Sequence, residues 1–127
     1  MRSLILSLIA VAVLACGAAA QTQPTQYVAY IGPEDLYNSN GARLSAPWQV
    51  LRQDRANYHR FGIRHAGDEW DPLFHDMNNR AAMERMIQQG YISPVAAQDI
   101  MRGGATVVVR IYSGFGANDR IEVDVWR

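Results

Sequence analysis

The sequence predicts an α+β domain. A small antiparallel sheet, built from an N-terminal strand and hairpin plus a C-terminal hairpin, should carry about three helices on one face. Three observations lead there. Tyr27–Ile31 near one end, and Ala105–Tyr112 with Ile121–Trp126 at the other, are rich in β-branched and aromatic residues. The middle repeats one helix-start pattern, a capping residue followed by proline, at Ser45-Ala46-Pro47, Asp71-Pro72 and Ser93-Pro94. Gly62, Gly90 and Gly103-Gly104 then stand where those helical segments should stop.

The first residues read as a secretory leader. Arg2 precedes an apolar run, Leu4 to Leu14, that is too short to span a bilayer, and Ala18-Ala19-Ala20 offers small residues for cleavage before Gln21. The expected organisation is a signal peptide over 1–20, a disordered polar lead-in over 21–26 containing Pro24, and one small domain over 27–127. Cys16 is the only cysteine and lies inside the leader. Cleavage after Ala20 gives a thiol-free exported protein, periplasmic or secreted. The alternative is lipoprotein processing, because Val13-Leu14-Ala15-Cys16 resembles a lipobox, with Leu14 where a small residue is usual. In that case Cys16 anchors the chain to a membrane.

Tyr27–Ile31 forms the first strand, and Gly32-Pro33 ends it. Leu36-Tyr37 and Arg43-Leu44 flank Asn38-Ser39-Asn40-Gly41, whose Asn-Gly step predicts a small hairpin. Ser45 caps a helix from about Ala46 to Arg60. At about 100° per residue, Val50, Leu51, Tyr58 and Phe61 share its apolar arc. Asp54 falls inside that arc. Ile63 to Glu69 is a polar loop, and Asp71-Pro72 starts a single turn, Leu73 to Met77.

Asn78 or Asn79 caps the second helix, with Ala82, Met83, Met86 and Ile87 as its stripe and Gly90 as its stop. Ser93 caps the third, whose stripe is Ala96, Ala97, Ile100 and Met101. The short link between them predicts an antiparallel helical hairpin. In the C-terminal hairpin, Val107, Val109 and Ile111 share one face with Ile121, Val123 and Val125. Val108, Arg110, Tyr112, Glu122, Asp124 and Trp126 share the other. There Arg110 should meet Glu122 or Asp124, a pair worth roughly 0.2–1 kcal/mol.

Charge excludes some functions. The 12 basic residues are all arginine, balance 12 acidic ones and form no stripe, so neither nucleic acid nor an anionic membrane surface is an expected partner. No serine sits in a nucleophile elbow, and neither Gly103-Gly104 nor Gly114-Phe115-Gly116 has the strand–loop–helix context of a phosphate loop. No cofactor is implied.

His59, His65 and His75 lie among Asp68, Glu69, Asp71 and Asp76. Metal-ligand residue types therefore concentrate here, with His65, Asp68, Glu69 and His75 as candidate ligands, but no histidine pair has the helical spacing of a zinc motif. His59 is expected on the polar side of its helix. Asp54 has two readings, a poised general base or a buried paired carboxylate, with Arg64, Arg80 and Arg85 as candidate partners.

The leading expectation is a non-catalytic exported domain that binds another envelope macromolecule or itself through Arg110, Tyr112 and Trp126. Behind it stand a metal-binding protein or metal-dependent hydrolase using His59 to His75, and then an enzyme pairing Asp54 with a histidine.

Overall fold

In the computed structural model, residues 23–112 and 119–127 are described. The expected leader, Cys16 and Gly114-Phe115-Gly116 lie outside them. The chain runs β1 (Thr25–Tyr30), a 3-10 turn (Pro33–Leu36), α1 (Pro47–Ala56), a π turn (Asn57–Phe61), α2 (Met77–Gln89), α3 (Pro94–Arg102), β2 (Thr106–Tyr112) and β3 (Arg120–Trp126). The strands form an antiparallel sheet in the order β1-β2-β3. This is the α+β fold that the sequence predicts. β1 begins at Thr25, inside the expected lead-in.

Alternation decides the faces. Tyr27, Ala29, Val107, Val109 and Ile111 turn inward and are buried, with Ile121, Val123 and Val125 packed against them. Val50 and Leu51 of α1, Met83 and Ile87 of α2, and Ile100 of α3 close over this face. Full burial of each such side chain contributes roughly 1.5–3 kcal/mol. No helix among the described residues is long and apolar enough to cross a membrane.

Several local expectations change. The Asn-Gly hairpin is present in minimal form: Tyr37 bridges Arg43, the Leu44 N–H donates to the Leu36 carbonyl and the Asn38 N–H to the Ala42 carbonyl, both at 2.9 Å, and a 3-10 turn precedes it. Ser45 is not the cap of α1. Ala46 holds that position, and the Gln49 side chain accepts from the backbone N–H groups of Ser45 and Ala46. α1 passes into the π turn and stops at Gly62, whose φ of 68° suits glycine. The extra residue per turn rotates Phe61 off the apolar arc, and it is 45 % exposed.

Asp76, and neither Asn78 nor Asn79, caps α2, accepting from both of their N–H groups. Ser93 caps α3 by accepting from the Ala96 N–H at 3.1 Å. α2 and α3 do not form the expected packed hairpin; each packs mainly against α1 and β3.

Register also fixes which backbone groups point outward. The Ile31 N–H donates to the Ala105 carbonyl at 2.9 Å, in line with the β1–β2 register. Odd-numbered residues of β1 and β2 therefore exchange hydrogen bonds, and even-numbered residues of β2 bond to β3. The even residues of β1 and the odd residues of β3 face away from the sheet.

Candidate functional site

A buried ionic cluster sits where α1 meets the segment after the π turn. Asp54 is 1 % exposed, in accord with its place on the apolar arc. Its partner is the adjacent Arg55, whose Nε donates to Asp54 Oδ2 at 2.8 Å. Arg64, Arg80 and Arg85 do not fill that role. Arg64 donates to the Tyr58 carbonyl, and Arg80 to those of Phe74 and His75.

Arg55 Nη1 reaches Asp71 Oδ2 at 2.9 Å and the Glu69 carbonyl at 3.0 Å. The guanidinium lies between the rings of Tyr27, at 4.1 Å, and Tyr58, at 4.6 Å. Its Nη2 is buried without a partner among the described residues. His59 is not on a polar face. Its side chain is 6 % exposed, and Nε2 lies 2.7 Å from Asp71 Oδ2.

One guanidinium serves two buried carboxylates, and their surroundings differ. Burial pushes Asp54 up to about 7 against the pull of Arg55. Asp71 is held below the usual carboxylate range. Its burial is outweighed by His59, by the Phe74 and Leu73 N–H groups and by Arg55. Of the two carboxyls, Asp54 is the one whose protonation burial favours.

A second cluster surrounds His65. Its Nε2 lies 2.8 Å from Glu34 Oε2, while Nδ1 lies 3.4 Å from Asp68 Oδ2 and 3.7 Å from Asp35 Oδ2. The ring meets Tyr30 edge-on. It lies so close to Gly32 that a Cβ there would fall 2.3 Å from Nε2. Burial opposes the charged imidazole, but Glu34, Asp35 and Asp68 outweigh it and raise the pKa of His65. Asp35 is buried, accepts from the Asn57 side chain at 2.8 Å and the Gly32 N–H at 2.9 Å, and is pushed up by desolvation.

The four candidate ligands do not share one site. His65 and Asp68 meet in this cluster. Glu69 instead accepts the Val28 N–H at 2.8 Å, and the His75 ring lies 6.4 Å from that of His59. Among the described residues no three His, Asp or Glu side chains converge in a geometry that would hold a metal ion.

The third feature is the outer face of the sheet. Register arranges it in rungs: Tyr30–Thr106–Trp126, Val28–Val108–Asp124, Gln26–Arg110–Glu122, and Tyr112–Arg120. Arg110 takes Asp124 as its ion pair and donates to Gln26 Oε1 at 3.2 Å. The Arg120 guanidinium stacks 4.1 Å from the Tyr112 ring. Trp126 is 53 % exposed, and Tyr30 also stands open to solvent.

Sequence reasoning placed Arg110, Tyr112 and Trp126 on this face but missed Tyr30 and Thr106. Their rung follows from strand parity once β1 is paired with β2. It also missed Arg55, Glu34, Asp35, Asp71 and the role of His59. Only the 32–35 spacing of Gly and Asp, which resembles a capping box, was available as a signal for Asp35. No known protein family, characterised protein or solved structure matches the chain.

Proposed function

We propose that this chain is an exported, non-catalytic domain that binds another envelope macromolecule, or a second copy of itself, through the outer face of its sheet. The leader-like sequence of residues 1–20 supports export. The observation that carries the binding reading is the Tyr30–Thr106–Trp126 rung. It sets two exposed aromatic side chains beside the arginine–carboxylate pairs of the neighbouring rungs. Aromatics and arginine are the residue types enriched at interfaces. The buried carboxylates, in contrast, are engaged with Arg55, His59, His65, Asn57 and backbone N–H groups.

The test is site-specific photo-cross-linking in the source cell. A photoreactive residue at Thr106 should give one discrete adduct, and its mass spectrum separates a self-adduct from a second macromolecule. The same residue at exposed Arg85 on α2 should not give it. No adduct at Thr106, or identical adducts at both positions, would refute the reading.

A further inference from the structure

The two edges of the sheet are treated differently. On β1 the outward groups belong to Gln26, Val28 and Tyr30, and a segment of the chain closes those of Val28 and the N–H of Tyr30. The Val28 N–H donates to Glu69 Oε1 and the Tyr30 N–H to Asp68 Oδ1, both at 2.8 Å. The Glu69 N–H donates to the Val28 carbonyl, also at 2.8 Å. On β3 the outward groups belong to Ile121, Val123 and Val125. Among the described residues nothing bonds to them. An open strand edge is a ready template for another strand, and folded proteins normally block it. Among the described residues only the β1 edge is blocked, at Val28 and Tyr30.

Resting on the binding reading above and narrowing it, we propose that the β3 edge receives an extended segment of another protein. In that segment apolar residues alternate with basic ones, and it adds as a fourth strand. The side-chain pattern selects this chemistry. Residues paired with Ile121, Val123 and Val125 project to the helix side of the sheet. There a groove of about 230 Å³ lies beside β3, lined by Met86 and Ile121 and by polar Gln89, Asp119 and Arg120; next to it Ile87, Ile92 and Val123 line an apolar surface. Apolar side chains fit that side. Residues between them project outward beside Glu122 and Asp124, whose half-exposed carboxylates each carry one arginine partner, Arg120 and Arg110. Lysine or arginine fits there.

The same carboxylates disfavour a second copy of this chain. Antiparallel self-pairing centred on Val123 would place Glu122 opposite Asp124 twice, and like charges directly opposite are destabilising.

The probe is a synthetic peptide, Lys-Val-Lys-Val-Thr-Val-Lys, titrated into the isotope-labelled mature protein and followed by amide NMR. Saturable shifts and slowed hydrogen exchange are expected at the amides of Ile121, Val123 and Val125. A peptide with glutamate in place of lysine should bind at least tenfold more weakly. Val123→Pro should abolish binding, because it deletes an outward N–H and leaves the β2–β3 ladder bonds in place. If that variant does not fold, Glu122→Lys serves instead, and it should abolish the preference between the two peptides.

No response at those amides up to millimolar peptide would overturn the inference. So would equal binding of both peptides, or a concentration-dependent dimer perturbing the same amides. A cross-link at Thr106 that survives Val123→Pro would refute the edge and leave the binding reading intact. Absence of any cross-link at Thr106 would instead remove the binding reading.

Discussion

Replacing Arg55 by methionine tests the buried cluster directly. Methionine keeps much of the stem that lies between Tyr27 and Tyr58 but deletes the charge shared by Asp54 and Asp71. Removing one partner of a buried ion pair costs about 3–5 kcal/mol, because the charge left behind is uncompensated. Two features bound the figure here. Asp71 retains His59 and two backbone N–H groups, and Asp54 can discharge itself by taking a proton. A domain of this size has about 5–15 kcal/mol in total, so the loss is a large share of it.

Urea denaturation of residues 21–127 is the assay, with an unchanged m-value confirming that the unfolded state is comparable. The loss should be smaller at pH 5, where Asp54 is protonated, than at pH 8. Asp54→Asn alone should be neutral or stabilising above pH 7. Arg55 then still has Asp71, and the amide avoids the cost of a buried anion. A loss below about 1 kcal/mol for Arg55→Met, equal at both pH values, would refute the account of the cluster.

Three further outcomes follow. The folded-state pKa of His65 is raised, so its contribution is fully present below its unfolded value of about 6.5 and is lost as pH rises through the folded value. His65→Gln should therefore flatten the fall in urea midpoint expected as pH rises past about 6.5; an unchanged slope rules the cluster out as its cause. Gly32→Ala should reproduce that flattening, since its Cβ displaces the imidazole from Glu34, and thermal melts across pH 6–9 check it. Ser93→Ala should cost about 1 kcal/mol by loss of the α3 cap, and a cost indistinguishable from zero in urea would show that the hydroxyl is not bonded there.

Much of the fold was legible because periodicity and punctuation are local. The β2–β3 pairing, both sheet faces, the α3 cap and the stop at Gly62 follow from residues within a few positions of one another. The exposure of Phe61 was not legible, because a π turn changes the period without a marker in composition.

The partner of Asp54 was obscured for a different reason. Adjacent helix residues do not normally face each other. Arg55 reaches its neighbour only because a long side chain folds over the Tyr27 ring, and Tyr27 belongs to another element. The outer face was legible residue by residue, but the Tyr30–Thr106–Trp126 rung required knowing that β1 joins β2.

The density of histidine and carboxylate between residues 59 and 76 has a mechanical reading once these contacts are traced. Asp68, held near His65, and Asp71, held by Arg55 and His59, lie on either side of Glu69. Between those anchors, Asp68 and Glu69 cover the outward backbone groups of β1. Charges that resemble a ligand set in the sequence thus fasten one segment along one strand. The cost of burying them is offset by their closing an edge that would otherwise present bare N–H groups. Weakening either anchor should then first appear as faster hydrogen exchange at Val28 and Tyr30. Exchange at these two amides that stays unchanged in both Arg55→Met and His65→Gln would show that Asp68 and Glu69 hold the edge without the anchors.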